Sequence, residues 1–269
     1  MRQLRARTAL KTYSTLLLQQ RAQQKEHQMS SKKTQKPAVI IMKRELKAYF
    51  TSPIAYIVTG LFLIITGILF FTTFFLQNRA ELRVFFGNLP ILLSFFVPAL
   101  TMRIFAEERR VGSIETLMTL PVTEADVVTG KYFASLLGTL IMLAPTLFYV
   151  VTAEIFGSPD YGPIIGGYLG AIFLCASYTA IGIFATSITK NQIIAFFTGF
   201  IICIILTMID SFLIFLPAKI VNVLSYISAN AHFNSISRGI IDTRDLLYFI
   251  SLSALFFAMT VKTQQKARN

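Results

Sequence analysis

Long apolar runs broken by short polar stretches make up most of this chain. Six runs stand out: Ile54–Leu76, Leu89–Phe105, Tyr132–Phe156, Ile164–Ile188, Ile193–Leu216 and Leu246–Val261. A helix needs about 20 residues to cross a hydrocarbon core about 30 Å thick, so each run predicts a membrane span. The sixth run is the shortest; it recruits Thr243–Leu246 and lets Arg244 and Lys262 reach back to the interface. Ahead of the first run, Val39, Met42, Leu46, Tyr49 and Phe50 form one apolar stripe, with Lys43, Arg44 and Lys47 away from it. That pattern predicts a helix lying in the membrane interface. Ser52 and Pro53 then supply an N-cap and an N1 proline for the first span. Pro90, Pro98 and Pro145 predict kinks in the second and third spans.

The long charged stretch between two runs is Arg103–Tyr132. Glu107, Glu108, Arg109 and Arg110 form the charged end of a helix that Gly112 breaks. Ser113 caps a short helix in which Ile114, Leu117 and Met118 share one narrow apolar face beside Glu115, and Pro121 stops it. Thr123 opens the next helix, with Glu124 and Asp126 in its first turn, where the helix dipole favours negative charge. The four charges read either as partners for a docking surface or as a solvated helix end. A second unusual connection, Pro217–Asp245, joins the fifth and sixth runs. Ile220–Ile227 and Phe233–Ile241 predict two re-entrant or interfacial helices, with a turn through Asn230, Ala231 and His232. Gly166 and Gly170, in a GxxxG spacing, offer close helix packing, within the chain or between copies. Asp210 and Glu154 read as charges at the membrane surface.

Composition and charge narrow the class. The chain is 54% hydrophobic and 14% charged, with 25 Phe and a mean hydropathy of +0.63, against roughly 25% charged in soluble domains. The fold class is therefore an all-α integral membrane protein of six transmembrane helices, with an interfacial N-terminal helix, a short cytoplasmic helix and outer helices between spans five and six. Residues 1–38, basic and polar, predict a disordered cytoplasmic tail or an extension upstream of a start at Met29; residues 39–263 make the membrane domain and 264–269 a second tail. The net charge of +12 points to an anionic membrane surface rather than nucleic acid, because the basic residues flank spans. With the N-terminus inside, 20 of the 25 Lys and Arg fall on the inner side, which predicts cytoplasmic termini in a plasma membrane. Cys175 and Cys203 lie inside apolar runs and imply no disulfide, and the two histidines form no metal cluster.

Catalytic motifs do not appear. The nearest approach to a phosphate-binding loop is Gly130-Lys131, with Ala125 in place of the first glycine and Tyr132 in place of the hydroxyl residue. No HExxH, GxSxG or CxxC exists. The chain is expected to have no cofactor or metal of its own, and energy for any work must come from a partner.

Two stretches carry a family resemblance. FAEERRVGSIETLMTLPVTEADVVTGKY, residues 105–132, is similar to the first cytoplasmic loop of ABC-2 type transporter permeases, and HFNSISRGIIDTRDLLYF, residues 232–249, also resembles that family. The branch it is most similar to includes gliding-motility permeases and those of nitrous-oxide-reductase maturation. The resemblance covers residues 39–263. It implies a permease that forms the translocation path, dimerises, and binds separate P-loop ATPase subunits that hold the ATP. It also implies that Gly112–Pro121 is the coupling helix and that an auxiliary periplasmic or membrane protein can join the assembly. The alternative is a non-transporting anchor or energy transducer driven by the same kind of ATPase.

Overall fold

The computed structural model describes residues 36–77, 81–112, 123–212 and 225–268. Among these, every regular element is a helix. Helix α1 (Pro37–Thr51) is followed by α2 (Pro53–Gln77), α3 (Arg83–Thr101), the short α4 (Ala106–Val111) and α5 (Glu124–Leu143). A 3₁₀ turn at Ala144–Thr146 leads to α6 (Leu147–Phe156); then come α7 (Tyr161–Ser187), α8 (Gln192–Phe212), α9 (Ala229–Ser237) and α10 (Thr243–Arg268). Six segments are long and apolar enough to cross a membrane: Pro53–Leu76, Arg83–Val111, Glu124–Phe156, Tyr161–Ser187, Gln192–Phe212 and Thr243–Lys266. The sixth does begin at Thr243, as its length required.

Local chemistry explains the breaks. Ser52 interrupts the backbone between α1 and α2, and Pro53 takes the first position of α2, where its missing N–H costs nothing. Pro145 sits in the 3₁₀ turn that divides span three, whereas Pro90 and Pro98 lie inside an unbroken α3. The chain turns at Met102–Phe105 before α4. Gly112 then ends α4 in the left-handed region at φ 77°, a conformation that glycine adopts without steric cost. Thr123 caps α5 reciprocally: its hydroxyl accepts from the Asp126 N–H, and the Asp126 carboxylate accepts from the Thr123 N–H.

Span four, α7, is the centre. It is buried along most of its length and packs against α3, α8, α9 and α10. Spans one, five and six lie around it with most of their surface exposed. Phe62, Phe86, Leu89, Leu93, Met142, Leu174 and Tyr178 belong to the main apolar core. Hydroxyls join the spans across it. The Thr66 and Tyr149 hydroxyls pair at 3.0 Å, Thr146 and Tyr168 at 3.1 Å, and Tyr178 and Thr207 at 2.5 Å. Ser177 donates to the Phe249 carbonyl at 2.9 Å. In a membrane each such bond contributes roughly 0.6–2 kcal/mol, a modest amount because the unfolded chain in the bilayer also finds partners for these groups.

At the end where α3 begins, the expected turn at Asn230–His232 is replaced by helix. Ser228 accepts from the Ala231 N–H, so a capping serine starts α9 just ahead of those residues. Residues 213–224, which hold the first part of the expected outer helix Ile220–Ile227, lie outside the described residues, as do residues 1–35. Gly166 and Gly170 face α9 within the same chain. A Cβ at Gly170 would meet the Phe233 ring at 3.2 Å, and one at Gly166 would lie 2.2 Å from the Ile236 carbonyl oxygen and 3.1 Å from Gly239 Cα.

That second contact is with backbone, which cannot rotate away. Gly166→Ala is therefore expected to lower stability by about 1–3 kcal/mol, despite alanine's helix preference of about 0.5–1 kcal/mol. Gly60→Ala, where nothing lies within 4 Å, is expected to be neutral or slightly stabilising. Thermal unfolding of both variants in detergent checks the pair.

Candidate functional site

The charged stretch after span two does not end free in solvent. In α4, Glu107 and Glu108 occupy the first turn and Arg109 and Arg110 the last, the arrangement a helix dipole favours. Three of these four side chains reach other parts of the bundle. Glu107 accepts from Arg103 at 3.3 Å, from Arg110 at 3.4 Å, and from the Gln192 amide at the start of α8. Arg109 donates to the side-chain amide oxygen Oε1 of Gln264, near the end of α10, at 3.4 Å. Glu108 enters a ring of four charges. Six residues of helix thus connect to the near ends of four others.

The ring is built around Lys131, about two turns into span three and 0% exposed. Its ammonium has three N–H donors, and three acceptors meet them. These are Glu45 Oε1 at 3.1 Å, Glu108 Oε1 at 2.9 Å and the Ile104 carbonyl at 2.9 Å. The Phe105 ring lies beneath, 4.9 Å from Nζ, adding cation–π attraction. Arg44 closes the ring from the open side. Its Nη2 donates to Glu45 Oε1 at 2.7 Å and to Glu108 Oε1 at 2.9 Å. Two cations and two carboxylates sum to zero, which is how charge is tolerated at this depth.

Burial acts to raise the Glu45 pKa, but the Lys131 charge and the Arg44 hydrogen bond and charge outweigh it, holding the carboxyl below its ordinary range. Burial likewise acts to lower Arg44, and the two glutamates outweigh it in the other direction.

Packing holds α1 where the ring needs it. Ala38, Ile41, Glu45 and Tyr49 face α5 rather than the stripe of Val39, Met42 and Leu46. A Cβ at Gly130 would meet the Ala38 carbonyl oxygen at 2.6 Å and Ile41 Cβ at 2.9 Å, and one at Gly138 would meet the Tyr49 ring at 3.1 Å. Ile41 packs with Phe105, Val127, Val128 and Ile183 in a small apolar cluster beside the ring. Lys43, Arg44 and Lys47 stay exposed, as the pattern required.

Of the residues expected at a docking site, the structure gathers Glu107, Glu108, Arg109, Arg110 and Gly112 at this end. Ser113, Ile114, Glu115, Leu117, Met118 and Pro121 lie outside the described residues. Gly166 and Gly170 are elsewhere, against α9. Sequence reasoning missed Lys131, Glu45, Arg44, Gln192 and Gln264. One signal was available: Glu45 is the sole acid between Glu26 and Glu81, set in a helix otherwise rich in basic residues. Among the described residues no group of three or more His, Cys, Asp or Glu is placed to hold a metal ion.

Comparison with known families decides what this scaffold is. A family model described as ABC-2 family transporter protein matches residues 3–262. The chain belongs to the ABC-2 transporter permease family. The match reaches back to residue 3, well ahead of residue 39, where the motif resemblance began. A comparison with curated proteins gave no match. The permease is thus a multi-pass membrane subunit of an ABC transporter, and its family implies a separate ATPase partner.

The ring gives this permease a ranked set of sensitivities. Lys131→Met leaves two carboxylates sharing Arg44 alone and is expected to cost about 3–5 kcal/mol, the range for breaking a buried pair. Glu45→Gln keeps the shape and one acceptor and should cost less. Arg44→Gln, on a half-exposed side chain, should cost about 1 kcal/mol or less. Because the Glu45 pKa is lowered on folding, its contribution is complete at neutral pH and is lost as pH falls through the lowered value. Unfolding followed from pH 7 downward should show an acid-side loss that Glu45→Gln flattens.

Proposed function

We propose that this permease couples to its ATPase through the segment Gly112–Pro121, and that α4 and the ion-pair ring pass the movement on. The observation that carries this reading is the set of ties made by α4. One short helix contacts α1 and α5 through Glu108, α8 through Glu107 and α10 through Arg109. The segment begins where α4 ends, and α5 follows it. Its two flanks are clamped together by the Glu108–Lys131 pair. A force applied there reaches the near ends of four helices without crossing the core.

On this reading the end bearing α1 and α4 faces the cytoplasm, both termini are cytoplasmic, α1 lies in the membrane interface, and the membrane is the inner one. Two copies assemble with two ATPase subunits, which bind the ATP. The bias of Lys and Arg toward the α1 end supports the orientation.

Leu117 and Met118, with Ile114, supply the apolar face that enters a groove on the ATPase. Leu117→Asp puts a carboxylate into that contact, at a desolvation cost of several kcal/mol. The variant is expected to insert and fold but to lose ATPase co-purification and activity, while Glu115→Gln is milder. Wild-type pull-down by Leu117→Asp would refute the assignment.

Orientation has its own check. A cysteine at Glu81 should react with an impermeant thiol reagent in intact cells and one at Thr123 should not. Both positions are exposed in the structure, so reversed labelling would invert the arrangement.

A further inference from the structure

A cavity of about 410 Å³ opens between the end of α1, the start of α2 and the foot of α3. Its size falls within the ~300–1,000 Å³ of small-molecule sites. It lies where spans one and two leave the apolar region, and its lining changes character at that level. Ile54, Ala55 and Leu100 form an apolar wall on the span side. Ser52, Arg103 and Glu107 form a polar wall toward α4.

The polar wall carries both signs of charge side by side. Arg103 Nη1 donates to Ser52 Oγ at 3.2 Å and Nη2 to Glu107 Oε2 at 3.3 Å. Both bonds are at or just beyond the long end of the usual range. A guanidinium has five N–H donors, so Arg103 keeps others for a ligand. Glu45 and Glu108 also line the cavity; Arg44 and Lys131 already neutralise them, and Glu107 offsets Arg103, so the lining has no excess positive charge for a purely anionic guest.

We propose that this cavity binds the headgroup of one zwitterionic glycerophospholipid from the surrounding leaflet. The phosphate meets Arg103 and the Ser52 hydroxyl. The ammonium, two carbons away in an ethanolamine headgroup, meets Glu107. The glycerol and first acyl carbons lie on Ile54 and Leu100. The assignment is independent of the coupling reading, since it needs only the geometry of the corner formed by α1, α2, the foot of α3 and α4.

The test is native mass spectrometry of the full chain in mild detergent, with phosphatidylethanolamine, phosphatidylglycerol or water-soluble phosphoethanolamine added separately. The wild type is expected to retain phosphatidylethanolamine several-fold over phosphatidylglycerol and to bind free phosphoethanolamine far more weakly. Arg103→Gln removes a charged donor and should weaken retention about tenfold or more. Ala48→Trp, on an exposed turn of α1 that lines the cavity, fills the mouth without touching a charge and should reduce retention comparably. Equal retention of the two lipids overturns the proposal, as does wild-type retention by folded Ala48→Trp. Free phosphoethanolamine binding as tightly as the lipid would overturn the assignment to a membrane source.

Discussion

An ammonium with no solvent exposure fixes the architecture at one end of this permease. Lys131 has three donors and nowhere in the membrane to leave them unmet. Its acceptors come from three places: α1, the turn after α3, and α4. Each must hold its position for the lysine to be tolerated. The close approach of α1 to α5 at Gly130, the turn at Met102–Phe105 and the start of α4 are three parts of one requirement. Arg44 and the second carboxylate bring the sum of charge to zero, so the ring costs less than its separate charges would.

The opposite end uses polar contacts differently. His232 Nδ1 lies 2.6 Å from Asp245 Oδ1 and its Nε2 lies 3.1 Å from the Tyr226 carbonyl, while its ring stacks on Tyr248 at 4.2 Å between centroids. Asn230 reaches Asp210 at 3.4 Å. These contacts fasten α9 to α10 and α8 at the surface, and Gly166 lets α9 lie directly on α7. Between the two ends, among the described residues, apolar packing and hydroxyl hydrogen bonds join the spans. Among the residues of these two clusters charge sits at the ends, where each buried group meets a partner of opposite charge or a hydrogen bond.

What the sequence disclosed follows from the range over which each effect acts. Spans, the helix ahead of them, the cap at Thr123 and the break at Gly112 are set within a few residues, and all were readable from hydropathy and capping chemistry. The helix start at Ser228 was local too, yet the asparagine and histidine after it suggested a turn. The ring was not readable, because Glu45 and Lys131 are separated by 86 residues and no periodicity relates them. The stripe of Val39, Met42, Leu46, Tyr49 and Phe50 reads as a face for the membrane interface and does not name the side that packs on α5, where Tyr49 is joined by Ala38, Ile41 and a glutamate whose charge is cancelled there.

The contacts of α4 are unequal, and the inequality has a mechanical meaning on the coupling reading. Breaking the buried Glu108–Lys131 pair costs about 3–5 kcal/mol, more than the 1–3 kcal/mol typical of coupling between sites. The pair therefore holds through a working cycle, and α1, α4 and α5 move as one body. The ties from Glu107 to Gln192 and from Arg109 to Gln264 have no buried ion pair behind them and fall nearer 0.5–3 kcal/mol. They are the joints that energy on that scale can make and break. Movement received between α4 and α5 would then shift spans two and three together against spans five and six, across the direct packing of α3 on α8 and the surface of α7.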